Sequence, residues 1–531
     1  MIEYRKHEQH GDNVRQAIKH TTQYYLKRVI FSGYMVTALL LLFQMGLLFS
    51  VLFWLDNYAN LYYEGSIILG FICTICIMNG DSNPAYKTSW IIIIMLFPVA
   101  GTLIYLYMKY NFGTIAIKKV AMEIGKETRK YVETDEQVKK DIKEEHSDLE
   151  KLAYYLGKKG SAATYENSSM EYFPLGDYAM NAILEQLESA KKFIFIEFFM
   201  VEEGIFFDSV LEVLERKVKE GVEVRFMYDD FGCAALLPCH YTEVLKKKGI
   251  QARCFSKIYA FLSTHYNNRD HRKIIVIDGK TAFTGGINLC DEYINAFEKY
   301  GHWKDNVVMV KGEAVKGFTL LFMQTWNSAL YKSGIDYESY LTTYPVKGES
   351  GYVIPYGDGP YQSECVAENV YLDILANAMD YVYIMTPYLI LDHEMENALA
   401  HAAKSGIDVR LILPHIPDKK MAFYIARTYY PKLLNSGVKI YEYRPGFVHS
   451  KTFLCDDKIA TVGTVNLDFR SLYLHYECGC VFYKKDGIMD IRKDFEETFP
   501  KCIPVGRDYY ELIPLWQRGF GRLLRIFGPI L

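Results

Sequence analysis

The apolar positions of this chain follow two regimes that meet near residue 110. Before that point they form long unbroken runs. VIFSGYMVTALLLLFQMGLLFSVLFWL, Val29 to Leu55, is 27 residues without a charge, long enough to cross a bilayer with some tilt. It exceeds a signal-peptide core and has no evident cleavage site, so it reads as retained. TSWIIIIMLFPVAGTLIYLYM, Thr88 to Met108, is a second such run, with Trp90 and several tyrosines near its ends as interfacial anchors. Between them SIILGFICTICIM, Ser66 to Met78, has 13 residues and crosses only if Tyr62 and Tyr63 join it, with Glu64 at the interface. Basic residues precede the first run (Arg15, Lys19, Lys27, Arg28) and follow the last (Lys109, Lys118, Lys119, Lys126). Both flanks are therefore expected in the cytoplasm, which needs an even number of crossings, whereas three runs give an odd one. Two or three helices stay open.

After residue 113 the runs give way to periodic patterns. A segment rich in Lys and Glu, with apolar residues at helical spacing, predicts an exposed helical linker. Helix and strand patterns then alternate. DYAMNAILEQLESAKK is a helix, KFIFIEFFM a buried strand, DSVLEVLERKVKEG a helix closed by Gly221, and VEVRFMYDD the next strand. The second half runs the same course through NVYLDILANAMD, YVYIMTPYL, MENALAHAAKSG (closed by Gly406) and DVRLILP. A repeat of about 180 residues indicates a duplicated domain rather than a solenoid. Alternating β and α elements predict an α/β sheet covered by helices on both faces. The expected order is a basic tail (1–28), a transmembrane region (29–113), a charged linker (114–165) and two halves, 166–345 and 346–531.

Composition changes this picture little. At 531 residues the chain is too long for one ordinary core. Its net charge of −4 offers no global basic field for nucleic acid. Of eleven cysteines, Cys73 and Cys76 form the one C-x-x-C pair, inside an apolar run and without a second pair to complete a metal site.

The chemistry lies in a duplicated octet. HRKIIVID, His271 to Asp278, recurs as HSKTFLCD, His449 to Asp456. Residues two apart in a strand share a face, so His271 and Lys273 point together, as do His449 and Lys451. Asp278 and Asp456 have the opposite parity and fall at the strand end. Each octet is followed at the same distance by G-x-x-N, ending in Asn288 and Asn466. Imidazole, ammonium and amide donors suit a phosphate or a developing oxyanion. Two halves face to face supply two imidazoles, one to attack phosphorus and one to move protons. A lysine beside each histidine opposes a metal cation and no carboxylate or cysteine is read at ligand spacing, so neither metal nor cofactor is expected.

These paired motifs resemble the phospholipase D superfamily, and the layout is similar to bacterial cardiolipin synthases. NPAYKTSWIIIIMLFPVAGTLIYLYMKYNFG resembles the family's membrane hairpin. HWKDNVVMVKGEAV, His302 to Val315, is similar to its Trp-Arg-Asp segment, with Lys304 in place of arginine. VNLDFRSLYLHYECG, Val465 to Gly479, and the terminal RLLRIFGPIL match further stretches. Departures are Gly286 and Thr464, where serine is common, and PYGDGP (Pro355 to Pro360), a partial match to a Ser-Gly-Pro-Asp turn.

The resemblance implies two pseudo-symmetric phospholipase D-like α/β/α sandwich domains behind a transmembrane region. It implies that His271, Lys273, His449 and Lys451 converge on one phosphate, with Asn288 and Asn466 completing the oxygen contacts. Asp305 and Glu477 would orient the histidines. Asp278 and Asp456 belong to the catalytic motif, mainly as supports. The implied reaction is metal-free transfer of a phosphatidyl group between two phosphatidylglycerol molecules through a phosphohistidine, giving cardiolipin and glycerol. The first-motif histidine is usually the nucleophile in this superfamily. The implied setting is the cell membrane, multi-pass, with cytoplasmic catalytic domains, membrane lipids as partners and no nucleic acid. Rival readings are a hydrolase or a transferase with another donor or acceptor, and a catalytically silent membrane scaffold. LWQRGFGRLLRIFGPIL, with Arg518, Arg522 and Arg525, is read either as a helix on an anionic lipid surface or as a packing tail.

Overall fold

The fold is that of a computed structural model. It describes residues 59–109, 112–256, 268–328, 336–362 and 364–530, with a few positions between 39 and 50. The run Val29–Leu55 therefore lies almost wholly outside the described residues.

The apolar region forms helices Ala59–Met78, Pro84–Leu96 and Pro98–Lys109. The expected middle run is longer than its apolar core, since Tyr62 and Tyr63 do join it. The expected span Thr88–Met108 is not one helix. Pro98 has no N–H to give and ends the first segment at Phe97. Gly101 then lets the two segments fold together, for a Cβ there would stand 2.9 Å from the Ile93 carbonyl. Among the described residues no helix is long and apolar enough to cross a membrane. The hairpin docks on the second half: Asn83 Nδ2 donates to Asp392 (3.1 Å) and to the Tyr473 hydroxyl (2.8 Å). The Ser89 hydroxyl donates to the Ile526 carbonyl at 2.6 Å.

Helices Phe112–Thr128, Glu136–Glu145 and Ser147–Lys158 follow, and Leu149, Leu152 and Leu156 bury one stripe of the last. Then come two sheets of one design. The first contains β1 (Ser168–Phe173), β2 (Phe193–Phe198), β3 (Glu223–Asp229), β4 (Gln251–Phe255), β5 (Ile274–Ile277), β6 (Thr281–Gly285) and, after the short β7 (His302–Lys304), β8 (Val307–Gly312). The second contains β9 (Tyr352–Asp358), β10 (Tyr381–Met385), β11 (Asp408–Pro414), β12 (Lys439–Tyr443) and, after the short β13 (Gly446–Val448), β14 (Thr452–Cys455), β15 (Ile459–Gly463), β16 (Glu477–Tyr483) and β17 (Cys502–Val505). Their orders are β1-β8-β6-β5-β2-β3-β4 and β9-β16-β15-β14-β10-β11-β12-β17. Strand for strand these coincide, parallel and antiparallel pairings included, with β17 as an added edge.

Alternation divides each strand between two cores. Ile275 and Ile277 pack under the helices Gly176–Glu188 and Ile205–Lys219. Ile274 and Val276 join a core shared between the halves, with Phe318 and Phe322 of helix Val315–Ser328, Met385, Leu454 and Phe482. Helices thus cover both faces of the sheets, as the sequence predicts. Each fully buried aliphatic or aromatic side chain here contributes roughly 1.5–3 kcal/mol. The shared core therefore holds the two halves in one fixed relation.

Candidate active site

Each octet follows a loop and enters its sheet as a central antiparallel strand, β5 or β14. The histidine and lysine precede the strand and the aspartate ends it. The two loops are clamped crosswise. The backbone N–H of His271 donates to the Tyr476 carbonyl (2.9 Å), and that of His449 to the Lys304 carbonyl (2.7 Å). Each acceptor lies one residue before an acid of the opposite half. β7 and β13 extend the second clamp as a parallel pair, His302 against Gly446 and Lys304 against Val448. Gly446 is required there, because a Cβ would stand 2.2 Å from the His302 carbonyl.

The side chains repeat the exchange. His271 Nδ1 lies 2.9 and 3.0 Å from the two carboxylate oxygens of Glu477. His449 Nδ1 lies 2.7 Å from Asp305 Oδ2. Each half's acid thus holds the other half's histidine, and neither half contains a complete site. With the carboxylates ionised, Nδ1 carries the proton and donates it, leaving the Nε2 lone pair free. Lys273 Nζ donates to the His271 carbonyl (2.5 Å), and Lys451 Nζ does the same to that of His449.

Both histidines are 7% exposed, which sets their electrostatics. Burial pushes His271 well below its ordinary value despite Glu477, and Lys273 adds to the shift. Burial and Lys451 bring His449 to about 4 against the pull of Asp305. Burial likewise lowers Lys273 to about 8 and Lys451 to about 7. For the acids burial acts upward, but His449 and Lys451 hold Asp305 below the usual carboxylate range, and His271 holds Glu477 well below it. At neutral pH the centre is two neutral imidazoles backed by two carboxylates, beside two lysines close to titration. Such a set can attack phosphorus and move protons.

The asparagines sit close by but differ. Asn288 is engaged, accepting from the Met200 N–H (3.1 Å) and donating to the Tyr293 hydroxyl (2.7 Å). Asn466 keeps a buried carbonyl oxygen without a partner. Asp278 and Asp456, grouped by motif with the catalytic residues, stand at the far end of the strand. Asp278 accepts from the N–H groups of Lys191, Lys192 and Phe193, and Asp456 from those of Met379, Asp380 and Tyr381. Both are left-handed, with φ of 54° and 51°, which aspartate tolerates. They join the octet to the strand beside it.

Other departures find reasons here. A Cβ on Gly286 would stand 1.9 Å from Asp305 Oδ1, so glycine makes room for that carboxylate. Its counterpart Thr464 donates its hydroxyl to Glu477. Lys304 gives its ammonium to Asp494 and to the Pro174 carbonyl, both at 2.7 Å, as a buried support.

Two features escape a motif reading. His475 lies two residues before Glu477, 3.7 Å from its carboxylate and with ring centres 5.7 Å from His271. His271, His475 and Glu477 present ligand atoms within 4.8 Å of one another, a carboxylate at ligand spacing that the sequence reading did not find. The Lys273 ammonium beside them opposes a cation. The spacing H-x-E was the available signal. Secondly, the fully buried Glu197 on β2 adjoins Asp270; burial and that neighbour push it well above the usual carboxylate range. Arg269, Asp270 and Arg272 surround the first histidine, where the second has Phe447, Val448 and Ser450. The near-symmetry of the octets therefore does not extend to their surroundings.

Comparison with known proteins agrees with this geometry. The chain matches the family described as "Cardiolipin synthase, PLD-like domain" over residues 183–326 and 371–499. Residues 68–108 match "Phospholipase D-nuclease N-terminal". An uncharacterized protein of Streptococcus mutans is 45% identical over 86% of this chain and 98% of its own. Cardiolipin synthase 2 of Bacillus cereus is 32% identical, covering 87% and 90%. Cardiolipin synthase of a Geobacillus species is 33% identical, covering 89% and 96%. Among solved structures, phosphatidylserine synthase of Haemophilus influenzae shares the fold, with a TM-score of 0.52 at 16% identity over 68% of this chain and 93% of that one. Family match, length coverage and duplicated octets agree: the chain belongs to the cardiolipin synthase family of phospholipase D-like proteins.

Proposed function

We propose that this protein is a membrane-bound phosphatidyltransferase that converts two phosphatidylglycerol molecules to cardiolipin and glycerol. The observation that carries this is the crossed pair His271–Glu477 and His449–Asp305, beside Lys273 and Lys451. The phosphodiester anion binds between the lysines, and its charge raises the proton affinity of His449. Nε2 of His271 attacks phosphorus. The bond to the glycerol oxygen breaks, and that oxygen takes a proton from His449. The phosphatidyl-histidine then meets the terminal hydroxyl of a second phosphatidylglycerol. Its proton passes to His449 as the new P–O bond forms and His271 is released. One phosphodiester replaces another, so no energy source is consumed. Asn466, with its free carbonyl oxygen, is suited to the incoming hydroxyl, while Asp278 and Asp456 act as braces. Burial of the histidines limits hydrolysis of the intermediate.

The apolar hairpin supports membrane attachment, with catalytic halves divided near residue 345 on the cytoplasmic side. So does helix Leu515–Phe527, which exposes Leu515, Trp516 and Leu523 beside it. Arg525 of that helix is bound to Glu396 (3.2 Å), Arg518 is half-buried with its guanidinium 5.5 Å from the Tyr510 ring centre, and Arg522 is exposed.

The test supplies purified protein with labelled phosphatidylglycerol. Cardiolipin and glycerol in equal amounts are expected, with no product from His271→Ala or His449→Ala. Phosphatidic acid as the main product would make the protein a hydrolase, and full turnover in both variants would remove the histidines from the chemistry.

A further inference from the structure

Where the helix Phe112–Thr128 leaves the apolar hairpin and meets the catalytic halves, the protein forms an open cavity of about 910 Å³. Its wall carries Lys118, Arg129, Lys158, Lys159 and Arg272, and no Asp or Glu among the described residues, although the net charge is −4. Two of these cations are already answered. Lys159 pairs with Glu364 at 3.0 Å, and Arg272 donates to the Glu477 carbonyl (3.0 Å) and the Thr325 hydroxyl (2.7 Å). Lys118, Arg129 and Lys158 are exposed, with no carboxylate partner among the described residues. Like charges gathered in a concave wall repel one another and raise the local concentration of anions.

The rest of the wall narrows the ligand. Met122, Ile124 and Leu321 give it apolar surface, and Tyr154, Tyr155, Tyr361 and Tyr476 give it aromatic rings. Cations, amphipathic rings and apolar surface in one cavity suit an amphiphile with an anionic head. The place is also informative. Arg272 and Tyr476 are chain neighbours of His271 and Glu477, so the cavity backs onto the reaction centre. Its other wall continues from the apolar hairpin.

We infer that this cavity is a second lipid site, which takes the phosphodiester of an acidic glycerophospholipid on Lys118, Arg129 and Lys158. The inference rests on the transferase reading. That reaction engages two lipid phosphates per turnover, and the paired histidines hold one. The shared chemistry is a phosphodiester anion on a diacylglycerol, from the second phosphatidylglycerol or from the cardiolipin product.

Full-length protein carrying His271→Ala, whose fold is checked by its melting temperature, is titrated with monomeric dihexanoyl phosphatidylglycerol. Short-chain cardiolipin and short-chain phosphatidylcholine are titrated in parallel. Two phosphatidylglycerol molecules are expected to bind. Adding Lys118→Gln, Arg129→Gln and Lys158→Gln should weaken one of them at least tenfold, a difference of about 1.4 kcal/mol. Loss confined to cardiolipin would assign the cavity to the product. Unchanged binding of both acidic lipids, or equal loss of the zwitterionic one, overturns the inference. If wild-type protein forms no cardiolipin yet the triple variant still loses a site, the transferase reading falls and the cavity assignment stands.

Discussion

At the scale of residues, the centre works by burying groups whose charges are then answered from the opposite half. This fixes the pH dependence. On the proposed mechanism, His271 of the free enzyme must be neutral to attack and the lysines protonated to hold the phosphate. As pH falls well below the ordinary histidine range, His271 gains a proton and the acid limb appears. As pH rises through about 7 to 8, Lys451 and then Lys273 lose theirs, and phosphate binding weakens. The rate at low substrate concentration should therefore be bell-shaped, with an alkaline limb below the usual lysine range. Lys273→Ala and Lys451→Ala should each alter that limb, measured as kcat/KM against pH in mixed micelles. Gly286 gives a second expectation. Gly286→Ala puts a methyl group on the Asp305 carboxylate, which must move and release His449. A displacement of about 1 Å at such a place can cost roughly 10²-fold in rate. The melting temperature should change little, so activity and stability measured together separate this from simple unfolding.

At the scale of elements, the octet on the proposed mechanism is a loop that carries chemistry at one end of a strand and an anchor at the other. Asp278 is buried and takes three backbone N–H groups, while Asp456 does the same nearer to solvent. Asp278→Ala would leave those donors unpaired out of water, at about 1–3 kcal/mol, and Asp456→Ala should cost less because water can replace the carboxylate. In both variants the chemistry should survive below the new melting temperature. A catalytic loss without lost stability would show that these aspartates act on the substrate. The expected strand parity does not apply, since β5 and β14 begin only at Ile274 and Thr452, after each histidine and lysine; the length of the octet alone sets the aspartates at its far end. Which backbone they hold was not legible, because their donors lie 75 to 87 positions away along the chain.

At the scale of the molecule, two like sheets share one core, and the site exists only across it. Met385, Leu454 and Phe482 of one half meet Phe195, Ile274 and Val276 of the other. A buried apolar interface of this kind should not need the chain that links the halves. A protease site inserted at Lys347–Gly348, in an exposed turn, tests this. After cleavage the two fragments are expected to elute together and to keep most of the turnover. Separation of the fragments with activity retained in one of them would contradict a composite site.

The sequence by itself determined the duplication, the α/β character and the paired histidine–lysine motifs, because periodicity and motif spacing are local properties. It also marked Asp305 and Glu477 as the acids, through resemblance. Only the tertiary structure decided that each acid serves the opposite histidine, that His475 and the Glu197–Asp270 pair crowd the first of them, and that Pro98 and Gly101 turn an apparent span into two packed helices. The physical reason is distance along the chain: His271 and Glu477 are 206 positions apart and His449 and Asp305 are 144, and nothing in local spacing states how two sheets will pack.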